Sequence, residues 1–236
     1  MFSATMAPEI RKLANTILVN PKMVSIAIAK PAEGVTQSAY MAHPYQKVDL
    51  ITHILEQNPD YDSILIFTST KRMIHSIVSA IKKKIRNVTA EGISSDFEQN
   101  EREEVLLRFK AKQTKILVAT DVLSRGIDIK GINLVINFDV PKDPADYVHR
   151  VGRTARADAK GEAITFISES DILRFKKIEA LIERPVNKLP LPAELGEAPV
   201  WKDVLPKPQR NHKKRNNHSR HKHFHHGKPK GKGENK

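Results

Sequence analysis

The sequence predicts an α/β fold in which a parallel sheet is covered by helices on both faces. Short, almost wholly apolar segments recur along the middle of the chain, and helical patterns separate them. Strands of this kind are typical of parallel sheets that are buried between helices. Apolar residues make up 39% of the 236 residues, which is enough to form a core.

The first part of this sheet is predicted from two segments and the helix between them. Residues 63–69 (SILIFTS) indicate a buried strand, and a helix follows with Thr70 at its cap position. The apolar face of this helix consists of Met73, Ile74, Ile77, Val78 and Ile81. Residues 87–94 (NVTAEGIS) indicate a weaker strand.

The second part of the sheet begins after another helix. Asp96 and Gln99 resemble a capping box at the start of this helix. Its apolar face consists of Val105, Leu106 and Phe109. Further buried strands are predicted at residues 115–121 (KILVATD), 134–140 (LVINFDV) and 163–168 (AITFIS). A last helix is expected over residues 170–183.

Composition divides the chain into four expected parts. These are residues 1–33, a sheet domain at 34–184, a proline-rich irregular connector at 185–206 and a disordered basic tail at 207–236. Within the first part, residues 1–5 (MFSAT) indicate a strand and residues 8–14 a short helix. Because the chain begins within a predicted strand, we expect it to be a portion of a longer protein.

The net charge of +13 is concentrated in the tail, which holds eleven lysines and arginines but one acid. Residues 1–206 hold 29 basic and 26 acidic residues. Such a tail predicts a polyanionic partner, and the alternative is a disordered segment that only aids solubility. The tail also holds six of the ten histidines, without the ordered spacing of a metal site. The absence of cysteine excludes disulfides and cysteine-ligated zinc.

Polar residues follow the predicted strand at 115–121. Ligands of open parallel sheets bind at the carboxyl ends of the strands, where Thr120 and Asp121 lie. Gly126 then allows close approach of the backbone, and Arg125 and Asp128 flank it with a donor fork and a carboxylate. The alternative is a strand-to-helix turn with an incidental charge pair.

Three arginines lie close together in residues 149–156 (HRVGRTAR) without a carboxylate among them. Arginine presents a planar fork of donors that suits phosphate, so this cluster predicts a phosphate contact. The structural alternative pairs the arginines with acids elsewhere, such as Asp139, Asp146 or Asp158. The chain has no G-x-x-x-x-G-K-[ST] segment that would hold phosphate itself. The pattern therefore indicates arginine fingers that act on a nucleotide held by another domain.

Six segments together resemble the C-terminal half of DEAD-box ATP-dependent RNA helicases, and within them the RhlE-like bacterial branch. They are SAT (3–5), LIFTST (65–70), QNER (99–102), ATDVLSRGIDI (119–129), VINFDVP (135–141) and YVHRVGRTAR (147–156). The resemblance covers about residues 1–185. It implies a RecA-like sheet domain that closes with an N-terminal RecA-like domain over ATP and RNA. That missing domain would hold most of the ATP and Mg²⁺.

The resemblance also implies roles for individual residues on the nucleotide side. Arg153 and Arg156 resemble the finger residues that reach the γ-phosphate of ATP. His149 and Arg150 match positions that couple the two domains and contact the nucleotide site. The cofactor-binding residues implied by the same segments are Asp128, at the ATP ribose, with Gly126, Arg153 and Arg156. Ala155 departs from the glycine that is usual in the family, which reduces the backbone freedom there.

On the RNA side, the resemblance implies largely sequence-independent contacts to phosphate and sugar. The implied RNA-binding residues are Thr120, Asp121, Gly92, Gln99, Arg102 and Arg125. Ser3 and Thr5 would link the ATP state to strand separation, and Phe67 would orient the arginine segment.

Two other functions are compatible with this sequence. A stand-alone RNA-binding module without catalysis would have the same domain chemistry, and a DNA translocase of the same superfamily is a third reading. No metal site and no membrane segment are predicted, and a cytoplasmic location is expected.

Overall fold

The computed structural model describes residues 8–19, 22, 34–121, 131–154 and 161–202. The strands are β1 Val35–Met41, β2 Ile64–Phe67, β3 Ala90–Ile93, β4 Ile116–Ala119, β5 Leu134–Asn137, β6 Gly161–Ile167 and β7 Asn187–Leu189. The helices are α1 Pro8–Ile17, α2 Lys47–Gln57, α3 Lys71–Lys84, α4 Gln99–Lys110, α5 Pro144–Val151 and α6 Ile172–Ile182. Two 3-10 turns lie at Glu169–Asp171 and Ala193–Leu195.

The seven strands form one parallel sheet in the order β3-β4-β2-β5-β6-β1-β7. Helices α2 and α3 pack on one face, and α4, α5 and α6 pack on the other, so each face carries its own apolar core. Along β2, Ile64 and Ile66 belong to one core while Leu65 and Phe67 belong to the other. This two-sided burial confirms the predicted α/β class and explains why the strands are apolar throughout.

Most predicted elements are confirmed, and one predicted cap is wrong. Thr70 caps α3, since its hydroxyl accepts from the backbone N–H of Met73 at 3.3 Å. The predicted capping box of Asp96 and Gln99 is displaced, because α4 begins at Gln99 and its cap is Glu98. The Glu98 N–H donates to the Glu101 carboxylate at 2.8 Å, and Asp96 pairs with Lys71 instead.

The carboxyl ends of the strands meet along one row of the sheet. Pairing aligns Ile93 of β3, Ala119 of β4, Phe67 of β2, Asn137 of β5 and Thr165 of β6. The segments that follow β2, β4 and β5 therefore leave the sheet side by side. These segments contain most of the described residues to which the sequence assigned a function.

The predicted end of the sheet domain at residue 184 is corrected by β7, which pairs with β1 within the supposed irregular connector at 185–206. A 3-10 turn follows, and the side-chain amide of Gln46 donates to the carbonyls of Leu195 at 2.8 Å and Glu197 at 2.9 Å. The domain thus includes the described segment up to residue 202. A strand of three residues is too short to stand out in the sequence.

Trp201 joins this C-terminal segment to the core. Its ring meets that of Phe175 edge to face, with 6.4 Å between the centroids, and the ammonium of Lys188 lies 4.3 Å from the Trp201 centroid. Both arrangements are favourable, and the ring is partly buried against the core on the α6 face.

Several predictions from the sequence fall outside the described residues, namely the strand at 1–5 and the disordered tail at 207–236. No helix among the described residues is long and apolar enough to cross a membrane.

We expect Trp201→Ala to lower the free energy of unfolding by about 1–3 kcal/mol, because it removes a large, partly buried ring and its cation contact. Urea denaturation would measure the change. The neighbouring Val200 is 69% exposed, so Val200→Ala is the control and should change stability by less than about 0.5 kcal/mol. Equal effects of the two substitutions would show that the segment does not stabilise the domain.

Candidate functional site

Arg150 is the centre of the polar network at the carboxyl edge of the sheet, and its side chain is 2% exposed. Its Nε and Nη2 donate to the two carboxylate oxygens of Asp121 at 2.6 and 2.7 Å. Its Nη1 donates to the side-chain oxygen of Asn137 at 3.1 Å and to the Asp139 carbonyl at 2.8 Å. The guanidinium carbon lies 5.0 Å from the centroid of the Phe67 ring. One side chain thereby connects the ends of β2, β4 and β5.

The local sequence explains how Arg150 reaches this position. Asp143 caps α5 by accepting from the Ala145 N–H at 2.9 Å, and Pro144 occupies the first turn, where no N–H is needed. The helix ends after two turns at Val151, and its inner face points to the sheet.

The turn after α5 fixes the backbone of Arg153. The N–H of Arg153 donates to the Arg150 carbonyl at 3.1 Å, and its own carbonyl accepts from Ile132 at 3.4 Å. Thr154 is buried, and a Cβ added at Gly161 would overlap its hydroxyl and carbonyl oxygens. Because the helix has ended, Arg150 and Arg153 do not lie on one helical face. Arg153 is half-buried and lies two residues after the end of α5.

A second buried cation, Lys47, contacts the residues that follow β5 at the same edge. Lys47 is 3% exposed; its ammonium donates to the Phe138 carbonyl at 2.9 Å and lies 3.7 Å from Asp139 and 4.0 Å from Asp171. Burial lowers the pKa of Lys47, and the two carboxylates oppose this shift. The Thr68 hydroxyl donates to the other oxygen of Asp139 at 2.9 Å. Asp139 therefore links the loop after β2 to the start of α2.

The predicted RNA residues on the β3 side lie around the start of α4. Gln99 is exposed and donates to Glu103 at 2.8 Å. Arg102 donates through Nη2 to the Ser95 carbonyl at 3.0 Å, while its Nε is buried and makes no hydrogen bond within the described part of the chain. Packing also explains why residue 92 is a glycine, since a Cβ there would overlap the Ile74 side chain on α3.

The structure brings together only some of the predicted site residues. Phe67 and Asp121 contact the Arg150 side chain at the carboxyl edge, and the Arg153 N–H is bonded to the Arg150 carbonyl. Thr120 lies directly after β4. His149 is partly exposed on α5, with Nδ1 4.0 Å from the Asp146 carboxylate. The predicted residues that lie outside the described part are Ser3, Thr5, Arg125, Gly126, Asp128 and Arg156.

Arg150 and Asp121 are partners of each other in the structure. The sequence assigned Arg150 to the nucleotide and Asp121 to RNA, yet the two side chains form a bidentate ion pair with each other. The structural alternative for the arginines therefore applies to Arg150. Its ion-pair partner is Asp121, whereas Asp139, one of the acids named from the sequence, accepts only through its backbone carbonyl. In this arrangement Arg150 positions the segment that carries Arg153.

Three residues that matter for the site were not assigned a function from the sequence. Asn137 is fully buried and donates to Thr165 at 3.1 Å while accepting from Arg150. An amide within the otherwise apolar strand LVIN was the one available signal. Asp139 was named from the sequence only as a possible arginine partner, and Lys47 was not singled out, because the two residues are distant in sequence. Among the described residues there is no group of three or more His, Asp or Glu that could hold a metal ion.

The parallel sheet and the polar network at its carboxyl edge are those of a helicase-type domain. Residues 46–158 match the family described as helicase conserved C-terminal domain. In Bacillus licheniformis, the DEAD-box ATP-dependent RNA helicase CshA is 40% identical over 202 residues, which cover 84% of this chain and 40% of that protein. The chain thus spans less than half the length of the curated relatives it matches.

Solved structures give the same result. The E. coli DEAD-box protein SrmB, bound to the regulator of ribonuclease activity A, is 31% identical with a TM-score of 0.62, covering 70% of this chain and 97% of that chain. S. cerevisiae Dbp5 bound to RNA and ADP BeF3 is 28% identical with a TM-score of 0.69, covering 80% of this chain and 50% of that chain. The chain therefore belongs to the DEAD-box helicase family, of which it contains the conserved C-terminal domain.

We expect Arg150→Met to destabilise the domain by about 3–5 kcal/mol, because the carboxylate of Asp121 and the amide of Asn137 lose their buried partner. His149→Ala, on the adjacent and partly exposed position, is the control and should cost less than about 1 kcal/mol.

A double-mutant cycle with Asp121→Asn would test the pairing directly. Urea denaturation of the four proteins should give a coupling energy of about 1–3 kcal/mol. Additive effects of the two substitutions would contradict the paired arrangement.

Proposed function

We propose that the chain works as the C-terminal RecA-like half of an ATP-dependent RNA helicase. It would supply arginine fingers to ATP held by an N-terminal RecA-like domain, together with part of an RNA-binding surface. The observation that carries the proposal is the buried Arg150 network, which holds the backbone of Arg153 at the carboxyl edge of the sheet. Family membership supports the same function.

In this mechanism Arg153 and Arg156 bring positive charge to the γ-phosphate oxygens. Charge spreads over these oxygens as the phosphoryl group transfers, so a fixed guanidinium stabilises the transition state. Arg150 keeps the finger segment in place, because its four hydrogen bonds resist rotation of α5 against the sheet. His149 would couple the two domains across the cleft.

The nucleotide is assigned mainly to the absent domain. The chain contains no G-x-x-x-x-G-K-[ST] segment, so we assign Mg²⁺ and the phosphate cradle to that domain and propose that the isolated chain does not hydrolyse ATP. Asp128 with Gly126 would contact the ribose, and Ser3, Thr5 and Phe67 would link the nucleotide state to RNA.

RNA would lie across the segments that follow β3 and β4. The partly exposed Arg102 would contribute its charge, and Gln99 and Thr120 would add polar groups for phosphate and sugar. Arg125 would add a charge-assisted contact. S. cerevisiae Dbp5, a relative of the same fold, has been solved with RNA and ADP BeF3. Assignment to the RhlE-like branch and to the cytoplasm stays a prediction from the sequence.

Replacing either Arg153 or Arg156 by Ala in the chain reconstituted with its N-terminal domain should lower RNA-stimulated ATP turnover by roughly 10³-fold. Steady-state phosphate release would measure it, with thermal unfolding to show that the fold is intact. Turnover near that of the unmodified protein in both variants would reject the finger role. ATP hydrolysis by the isolated chain would contradict the assignment of the phosphate cradle to the N-terminal domain.

Replacing the eleven basic residues of the tail at 207–236 by Gln should weaken RNA binding and reduce its salt dependence. Each lost contact to single-stranded RNA lowers the slope of log K against log salt by about 0.7. Fluorescence anisotropy with a labelled oligouridine would measure the slope, and the substituted tail keeps its length as a control. An unchanged slope would leave the tail with a solubilising role only.

A further inference from the structure

The helix α3 and the residues after it carry an unusual charge imbalance. Residues 71–86 contain six lysines and arginines and no acid, whereas the rest of residues 1–206 contains 23 basic and 26 acidic residues. Two of the six cations have acidic partners, since Lys71 pairs with Asp96 and Lys84 pairs with Asp49. The excess positive charge of the folded domain is therefore concentrated on one helix.

The remaining cations lie along one exposed line. Arg72, His75, Ser79 and Lys82 are all exposed and follow one another at intervals of three or four residues, which places them on one face of α3. Arg86 is also exposed and lies two residues after the end of the helix. Lys83 is exposed beside Lys82. None of these four lysine and arginine side chains has a carboxylate within ion-pair distance among the residues that the structure describes. We call this line the α3 stripe.

A groove runs between the α3 stripe and the edge strand β3. It has a volume of about 600 Å³ and an apolar floor that includes Ile74, Val78 and Phe97. Its lining also includes the exposed Ser79, Lys82 and Lys83, which supply one hydroxyl and two ammonium groups. Hydroxyls and ammonium groups are the usual donors to phosphate oxygens.

The groove is continuous with the proposed RNA surface. Gly92, Ser94 and Phe97 line it at the carboxyl end of β3, and the next residue, Ser95, is held by Arg102. An RNA strand that contacts Arg102 therefore meets the end of the groove. From Arg72 to Lys83 the helix rises by roughly 16 Å, the length over which one nucleic-acid strand carries about five phosphates.

We propose that the α3 stripe and its groove form a second nucleic-acid track, which holds the phosphate backbone of RNA beyond the contacts at residues 92–102. The proposal rests on the proposed function, because it extends the RNA path of that site. Its ligand is the phosphodiester backbone, read without regard to sequence. An acidic polypeptide has compatible charge, but it would have no reason to be continuous with Arg102.

The test uses the full chain and a labelled single-stranded oligouridine. Lys82→Gln, Lys83→Gln and Arg86→Gln combined should lower the slope of log K against log salt by roughly 2 units, because three phosphate contacts are lost. All three side chains are exposed, so the fold should be retained, which circular dichroism would verify. The matched control removes the same charge from exposed lysines on other elements, Lys12, Lys110 and Lys177, and should leave the slope within about half a unit.

A photo-crosslinking amino acid in place of Ser79 locates the ligand independently of affinity. Crosslinking of oligouridine at this position supports the track. RNA binding with an unchanged slope and no crosslink at Ser79 overturns the track while the proposed function stands. Crosslinking of polyglutamate but not RNA also overturns it, in favour of an acidic protein. If the chain does not bind RNA at all, both the proposed function and the track are contradicted.

Discussion

The buried guanidinium of Arg150 is the interaction on which the functional edge depends. A charge removed from water must regain its lost solvation from fixed partners, and here those partners come from the ends of β4 and β5, with the Phe67 ring of β2 beneath. The same requirement holds the partners in place, because each would otherwise leave a buried polar group unsatisfied. Three strands and one helix therefore have a single relative arrangement.

The charges of this domain fall into two groups with different physical consequences. Arg150 and Lys47 are buried and held by acceptors within the domain, so they define the geometry of the edge and are unavailable to a ligand without rearrangement. The cations of the α3 stripe are exposed and have few acceptors, so they contribute little to stability and much to the field outside the protein. Arg153 stands between the two groups, with a fixed backbone and a half-buried side chain.

Sequence patterns predicted the elements whose signal is local. β2, β4 and β5 are apolar at every position, and Thr70 caps α3 through its own neighbours. β1 (VTQSAYM) lacks such an apolar run, because it contains polar residues. One of them, Gln37, accepts a hydrogen bond from the hydroxyl of Tyr147, which is 110 residues away in the sequence. Arg150 was singled out by its residue type, but its role depends on Asp121 and Asn137. Their positions follow from strand register, which a single sequence does not specify.

The close contact of Gly161 with Thr154 has a consequence for the turn that carries Arg153. A Cβ at position 161 would overlap the hydroxyl and carbonyl oxygens of Thr154. Any side chain there would therefore displace Thr154, and with it the neighbouring carbonyl of Arg153, which accepts from the Ile132 N–H. The missing side chain of one glycine thus sets the place of a charged residue eight positions earlier in the chain.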